Sequence, residues 1–318
     1  MSNTAILGAA GAIGIHTAKE LARRGDAVTV VGRSRNRLEK AFGGEAGISL
    51  RTADLATPDG ARSACEGADT VIFSAGAPYD QFELHPLMMR HTVQGAVDVG
   101  VQRLLLVSNV YAYGIPEADR VAETHSRDPQ TRKGKYRKEQ EDIAMGAHQA
   151  GKLQVIVLHL PDFMGPEAEN SFSTTLFQAA LANKKATWLG DPKLPHEFIY
   201  VPDVAPVIAE LLARDDVWGE HYNLAGSGIT TGDEFIQQIY YAACRRPRYR
   251  TAGKRMLRML GLFNPLMREL VEMMYLLETP LVLDDSKLQA KIGAITKTPY
   301  ANAITATIAW LRGIPSLA

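Results

Sequence analysis

The amino-acid sequence predicts an α/β protein on a doubly wound parallel sheet, and three observations carry that expectation. The chain opens on an apolar strand that runs into Gly8-Ala-Ala-Gly11-Ala-Ile-Gly14. Short apolar runs then alternate with helical patterns, near residues 4–8, 27–31, 48–53, 69–75, 103–108 and 154–160. Those runs are continuous rather than alternating, which marks strands covered by helices on both faces.

The first turn is the most informative element. Gly8 lets the chain leave the strand sharply, Gly11 lets backbone amides approach a diphosphate, and Gly14 lets the next helix pack closely on the sheet. Ala12 and Ile13 open that helix, whose free N–H groups and positive dipole end suit phosphate. Ala18, Leu21 and Ala22 recur at helical spacing, Gly25 is placed to end the helix, and a strand follows from Ala27 to Val31. Strand, glycine turn, helix and strand in about 30 residues fit a dinucleotide site better than an ordinary tight turn. An NAD site carries an acid about 20 residues after the glycines, on the ribose hydroxyl. Here Gly32-Arg33-Ser34-Arg35 stands at the end of the second strand, with no carboxylate until Glu39. Arg33 can pair with a 2′-phosphate, so NADP is expected and NAD less so. The other reading of Arg33, Arg35 and Arg37 is a solvated helix start.

Downstream, Thr57-Pro58 reads as an N-cap and first helical residue, with Gly67 after the helix. Longer helices are expected at about 82–99 and 134–150. Past residue 161 the prolines at 161, 166, 192, 195, 202 and 206 break the pattern, with helices near 171–183, 203–213, 232–244 and 299–311. This predicts a cofactor domain over 1–160 and a smaller, discontinuous α/β substrate domain over 161–318. Segments near 196–215 are expected to return to the first. Residues 253–283 hold Met256, Met259, Met267, Met273 and Met274. They suit a helical core or a helix pair joined around Asn264-Pro265, or else a deformable lid over an apolar substrate.

The bulk numbers narrow the class. In 318 residues, 35 basic side chains balance 35 acidic ones, so no global field draws nucleic acid or an anionic membrane. Cys65 and Cys244 stand far apart without metal or redox spacing, and no metal centre is expected. With no leader pattern and no long uncharged apolar run, a cytoplasmic protein is expected.

The ordered motifs resemble the extended branch of the short-chain dehydrogenase/reductase superfamily, the nucleotide-sugar epimerase and dehydratase type. The carrying pieces are the glycine turn, Asp54-Leu55, Ser74-Ala75-Gly76-Ala77 and Val107-Ser108-Asn109-Val110-Tyr111-Ala112-Tyr113-Gly114. Pro161-Asp162-Phe163-Met164-Gly165-Pro166, His196 to Ala205 and Tyr222-Asn-Leu-Ala complete the series. The resemblance implies a Rossmann-type cofactor domain. It puts Asp54 and Leu55 beside the adenine, Ala75 and Gly76 along the cofactor's middle, Ser108 in the cofactor site, and Pro161 by the nicotinamide. Read without it, Asp54 simply begins a turn, Asp203 is an N-cap and His196 a packing residue.

One departure stands out. The family carries a tyrosine and, four residues on, a lysine in the helix after the fifth strand. Here Tyr136 is followed at that spacing by Gln140, and a register anchored on Glu141 puts Lys133 and Arg137 in the two positions. Either chemistry is rerouted, with Tyr111 or Tyr113 as general acid, Arg137 as the charge near the ribose and Asn109 as a neutral donor to the substrate oxygen. Or the protein holds NADP(H) as a sensor. The expected function is NADP(H)-dependent hydride transfer at a carbonyl or alcohol carbon of an apolar small molecule. Nucleotide-sugar epimerisation or dehydration is the alternative; the C-terminal half shows no obvious diphosphate clamp, and Arg245, Arg246, Arg248 and Arg250 fit one or a solvated charge run equally.

Overall fold

The computed structural model describes residues 3–169, 171–261 and 265–313. Its first half is a regular alternation: β1 (Asn3–Leu7), α1 (Ala12–Arg23), β2 (Ala27–Gly32), α2 (Arg35–Phe42), β3 (Ile48–Thr52), α3 (Pro58–Cys65), β4 (Thr70–Phe73), α4 (Leu84–Asp98), β5 (Arg103–Asn109), α5 (Arg132–Gln149) and β6 (Gln154–Leu160). The second half is more broken: β7 (Asp162–Met164), α6 (Phe172–Leu181), β8 (Ala186–Leu189), β9 (Pro195–Tyr200), α7 (Val201–Leu212), β10 (Glu220–Asn223), β11 (Ile229–Thr231), α8 (Gly232–Ala242) and β12 (Tyr249–Ala252). The chain then continues through α9 (Lys254–Leu260), α10 (Pro265–Met273), α11 (Tyr275–Glu278), α12 (Ser286–Ile292) and α13 (Tyr300–Leu311).

Local chemistry sets the boundaries. Thr57 accepts a hydrogen bond from the Gly60 amide with Pro58 at the first turn of α3, and Thr131 accepts from Gly134 at the start of α5. Thr231 and Glu234 form a reciprocal capping box on α8. Gly25 follows α1 at φ +93°, the left-handed stop that glycine adopts freely.

Seven strands make one all-parallel sheet in the order β3-β2-β1-β4-β5-β6-β10. This is the doubly wound, Rossmann-type arrangement. Strand order reverses between β1 and β4, and in such sheets the crevice at that reversal takes the ligand. One face is covered by α1, α2 and α7 through residues such as Ile15, Leu38 and Ile208. The other is covered by α3, α4 and α5 through Ala61, Met89 and Ala144.

The second half divides between two places. β10 extends the main sheet, pairing Glu220–Asn223 with Ile156–His159, and α7 packs on α1. β9 instead joins β7 and β11 in a three-stranded sheet. A separate core around Phe177, Trp188, Phe198 and Phe235 gathers α6, α8 and α13. Asp203 is not the N-cap expected for it. α7 begins earlier, on Tyr200, and runs through Pro206. Asp203 accepts from the Thr298 amide and hydroxyl, both at 2.7 Å, which ties α7 to the approach of α13.

Candidate active site

The glycine turn occupies the crevice between β1 and β4. Gly8 has φ +84°, and a Cβ there would lie 2.4 Å from the Cα of Ala75, in the loop that leaves β4. A Cβ on Gly14 would lie 2.6 Å from the Cα of Ala9. Those two glycines are required by close backbone packing. Gly11 differs, because a Cβ there would meet only the Gly8 carbonyl, at 3.4 Å. It is the N-cap of α1, and no side chain caps that helix or places an acid in its first turn. The amides of Ala12 and Ile13 therefore face open space, where an anion fits. Leu55 is buried at the end of β3, and Gly76 and Asp54 are exposed. The Asp54 carboxylate accepts from the Ala56 amide at 3.0 Å, the turn-forming role open to it in the sequence.

At the end of β2 the arginines separate into roles. Arg35 pairs with Glu39 at 2.8 Å. Arg37 donates across to the carbonyl of Ala10 in the glycine turn, at 3.4 Å. Arg33 is exposed, with no hydrogen bond or ion pair among the described residues. Glu39, engaged by Arg35, leaves this end of the crevice cationic.

Beyond β5 the chain makes a 3-10 turn at Val110–Ala112 that carries Tyr111. The Asn109 carbonyl oxygen Oδ1 caps it, accepting from the Tyr111 amide at 3.1 Å, so only its Nδ2 remains for a ligand. The Tyr111 hydroxyl lies 3.1 Å from that of Tyr79, which hangs from the loop after β4. Sequence reasoning missed Tyr79, since a single aromatic in a loop has no periodic signature. Phe82 stacks against Tyr111 at 6.2 Å between centroids and meets Tyr79 edge-on. Burial pushes the Tyr79 phenol up to about 12, although its bond to Tyr111 pulls it down. Burial drives Tyr111 well above the usual range, with Tyr79 and Asp162 adding to it and Arg137 opposing. Both phenols therefore hold their protons at neutral pH.

The face of α5 buries both members of the second register and one of the first. Lys133, Gly134, Arg137, Gln140 and Glu141 are buried, and Tyr136 lies on the helix flank. Arg137 donates to Gln140 Oε1 at 2.6 Å and to His85 Nδ1 at 3.2 Å. Burial holds His85 well below its usual value and Arg137 reinforces this, so the imidazole is neutral and accepts. The Arg137 Nε is buried with no partner. Such an orphaned donor suits a ribose hydroxyl.

A second polar network lies beneath. Ser108, 2% exposed, donates to Glu141 Oε1 at 2.5 Å, so its hydroxyl is engaged inside the protein. Arg127 holds the other carboxylate oxygen at 2.6 Å, and His159 Nε2 stands 3.2 Å from Oε1. Burial pushes Glu141 up, but His159, Arg127 and Ser108 together hold it down at about 2. Tyr113 donates to Asn223 at 2.7 Å and contacts His159, which commits it to packing. Glu141, His159 and His221 lie close enough to ligate a metal ion, but the imidazoles are stacked 12° from parallel.

The methionine-rich segment closes over this region. Met273 and Met274 are buried and Met259 is exposed, while Met267 and the Asn264-Pro265 joint lie outside the described side chains. Carboxylates from α10 reach α5: Glu269 and Glu272 both engage the Lys133 ammonium, the second at 3.1 Å. Glu272 also accepts from the Lys133 amide at 2.9 Å. Pro161 is buried just past β6. Its neighbour Asp162 lies 3.1 Å from His196, whose ring also packs on Trp188 and Phe198.

The model of the NAD dependent epimerase/dehydratase family matches residues 4–225, the span that holds the glycine turn, Tyr111 and the α5 face. The chain belongs to that family. A nicotinamide dinucleotide is accordingly its class of cofactor, and the protein is an NAD(P)-dependent oxidoreductase or epimerase/dehydratase. Solved structures share its fold at low identity. WbmH of Bordetella bronchiseptica, in complex with NAD+, is 19% identical with a TM-score of 0.80, over 98% of this chain and 99% of that one. The UDP-glucuronic acid 4-epimerase of Bacillus cereus, in complex with NAD, is 14% identical with a TM-score of 0.83, over 98% and 99%. The dTDP-glucose 4,6-dehydratase of Bacillus anthracis, in complex with NAD, is 16% identical with a TM-score of 0.81, over 98% and 97%. No curated protein matches the sequence.

Proposed function

We propose that this family member is an NADP(H)-dependent oxidoreductase that interconverts a carbonyl and an alcohol on a compact, apolar small molecule, and that it works in the cytoplasm. The observation that carries the reading is the pair of protonated phenols, Tyr111 and Tyr79, 3.1 Å apart beside an aromatic wall. Tyr79 stands on the loop after β4 and Tyr111 on the turn after β5, both at the carboxyl edge of the sheet beside the crevice, where the reacting carbon belongs.

The glycine turn and the first amides of α1 fit a diphosphate, Arg33 and Arg37 fit a ribose 2′-phosphate, and Arg137 Nε fits a ribose hydroxyl. Bound there, the cofactor supplies or accepts the hydride. The chain's own residues do the rest. Phe82 and Tyr79 exclude water and hold an apolar body, Asn109 Nδ2 orients the substrate oxygen, and Tyr111 gives that oxygen its proton. Loss of the donor is tested directly. With NADPH and a panel of aldehydes, ketones and nucleotide sugars, Tyr111→Phe is expected to lower kcat about 100-fold or more with cofactor affinity kept. Unchanged kcat overturns the assignment of Tyr111.

The alternative is nucleotide-sugar epimerisation or dehydration, which the family match itself favours. Turnover of nucleotide sugars in the same panel, with none of simple carbonyls, decides for it. Tight NADP(H) binding without any turnover decides for a sensor.

A further inference from the structure

We infer that Lys133 is a catalytic residue that holds the substrate oxygen as negative charge develops on it; the inference rests on the oxidoreductase reading. Lys133 is fully buried and lies one helical turn before Arg137, on the same face of α5. A buried ammonium is costly unless it is paired. Two of its three N–H groups are engaged by Glu269 and Glu272 of α10. The third has no oxygen or nitrogen partner among the described residues. The ammonium sits instead over the ring of Tyr79, 5.1 Å from its centroid, and 5.9 Å from that of Phe82.

Those rings pack with Tyr111, whose hydroxyl lies 3.1 Å from that of Tyr79. The third donor therefore lies on the aromatic cluster that carries the proposed proton donor. A simple brace between α5 and α10 needs the two carboxylates but not a fully buried nitrogen on the aromatic face of the site.

Hydride arrives at the carbonyl carbon, the C=O π bond opens, and the electron pair moves to oxygen. The ammonium N–H stabilises that oxyanion without giving up its proton. The Tyr111 O–H proton passes to the oxygen, Tyr111 recovers it from Tyr79, and Tyr79 from water. The alcohol, oxidised cofactor and unchanged Lys133 remain. In a dry site one such donor is typically worth 100- to 1000-fold in kcat.

The test is Lys133→Met, which keeps the length and removes the charge. With NADPH and a carbonyl that the native protein reduces, kcat is expected to fall about 100-fold or more. NADPH affinity, read by fluorescence titration, should stay within about twofold, since the Lys133 ammonium is held by Glu269 and Glu272. Lys133→Arg should recover at least a tenth of native kcat, because the charge returns. If Lys133→Met does not fold, Lys133→Gln, which can still donate to Glu272, takes its place. A folded neutral variant with kcat near native, or one in which only KM moves, overturns the inference and leaves Lys133 as a brace. That outcome leaves the oxidoreductase reading standing. Absence of turnover by the native protein on every carbonyl of the panel overturns both.

Discussion

Arg33 and Arg37 flank the glycine turn without a carboxylate between them, since Glu39 is spent on Arg35. A 2′-phosphate there gains charge-assisted bonds that a bare hydroxyl cannot make. Arg33→Ala should therefore weaken NADP binding about tenfold or more, while NAD affinity stays within a factor of two, as measured by titration calorimetry. Equal losses for both cofactors would remove the phosphate argument. Glu141 carries a different prediction. Its native value of about 2 lies below the ordinary 4.5, so the native state binds fewer protons than the unfolded chain in that interval. The stability it contributes is complete above pH 4.5 and is lost as pH falls toward 2. The loss is on the order of 3 kcal/mol. His221, held down from 6.5 to about 4 chiefly by burial, adds an earlier loss over that interval. Urea denaturation of the native protein and Glu141→Gln from pH 6 to pH 3 should show the native protein losing more stability than the variant.

At the scale of elements, the three glycines of the first turn have separable duties. Gly8→Ala forces a Cβ into the backbone of Ala75 at a positive φ, and should cost about 2 kcal/mol or more of stability. Gly11→Ala meets no backbone crowding, so its melting temperature should stay near native while dinucleotide affinity falls. A Gly11→Ala variant that binds as well as native would show that the diphosphate lies elsewhere. The strands, α1 and α3 were legible beforehand because their signals are local: apolar runs, a threonine cap, a glycine stop. α5 was not. Its tyrosine at 136 matches the family's residue type, but the helix buries Lys133 and Arg137 instead. Only packing against α4 and the sheet selects the face, and two registers one helical turn apart read alike in sequence. α7 begins two residues before the 203–213 that the pattern predicts, because its prolines read as breaks. Pro202 sits in the first turn, where its missing N–H costs nothing, and the helix passes through Pro206, which is exposed while Val204, Val207 and Ile208 on the other side are buried.

For the whole molecule, the cofactor crevice joins β1, β2 and β4, so binding there should stabilise the fold as a unit. NADP at about 100 times its Kd should add about 2.7 kcal/mol, and NAD at the same concentration less, read as separate shifts in melting temperature. Equal shifts would count against NADP preference. By itself the sequence determined the parallel sheet, the glycine turn, the cationic end of β2 and the position of Tyr111 after β5. Each is written in neighbouring residues, where backbone conformation and charge spacing are local properties. The tertiary structure alone decided that Tyr79 meets Tyr111, that β10 extends the sheet, and that α10 brings two carboxylates onto Lys133. Lys133 and Glu272 are 139 positions apart, and no periodicity spans that distance. Their meeting follows from the burial of an ammonium that must find an anion, a demand satisfied only once the chain has folded.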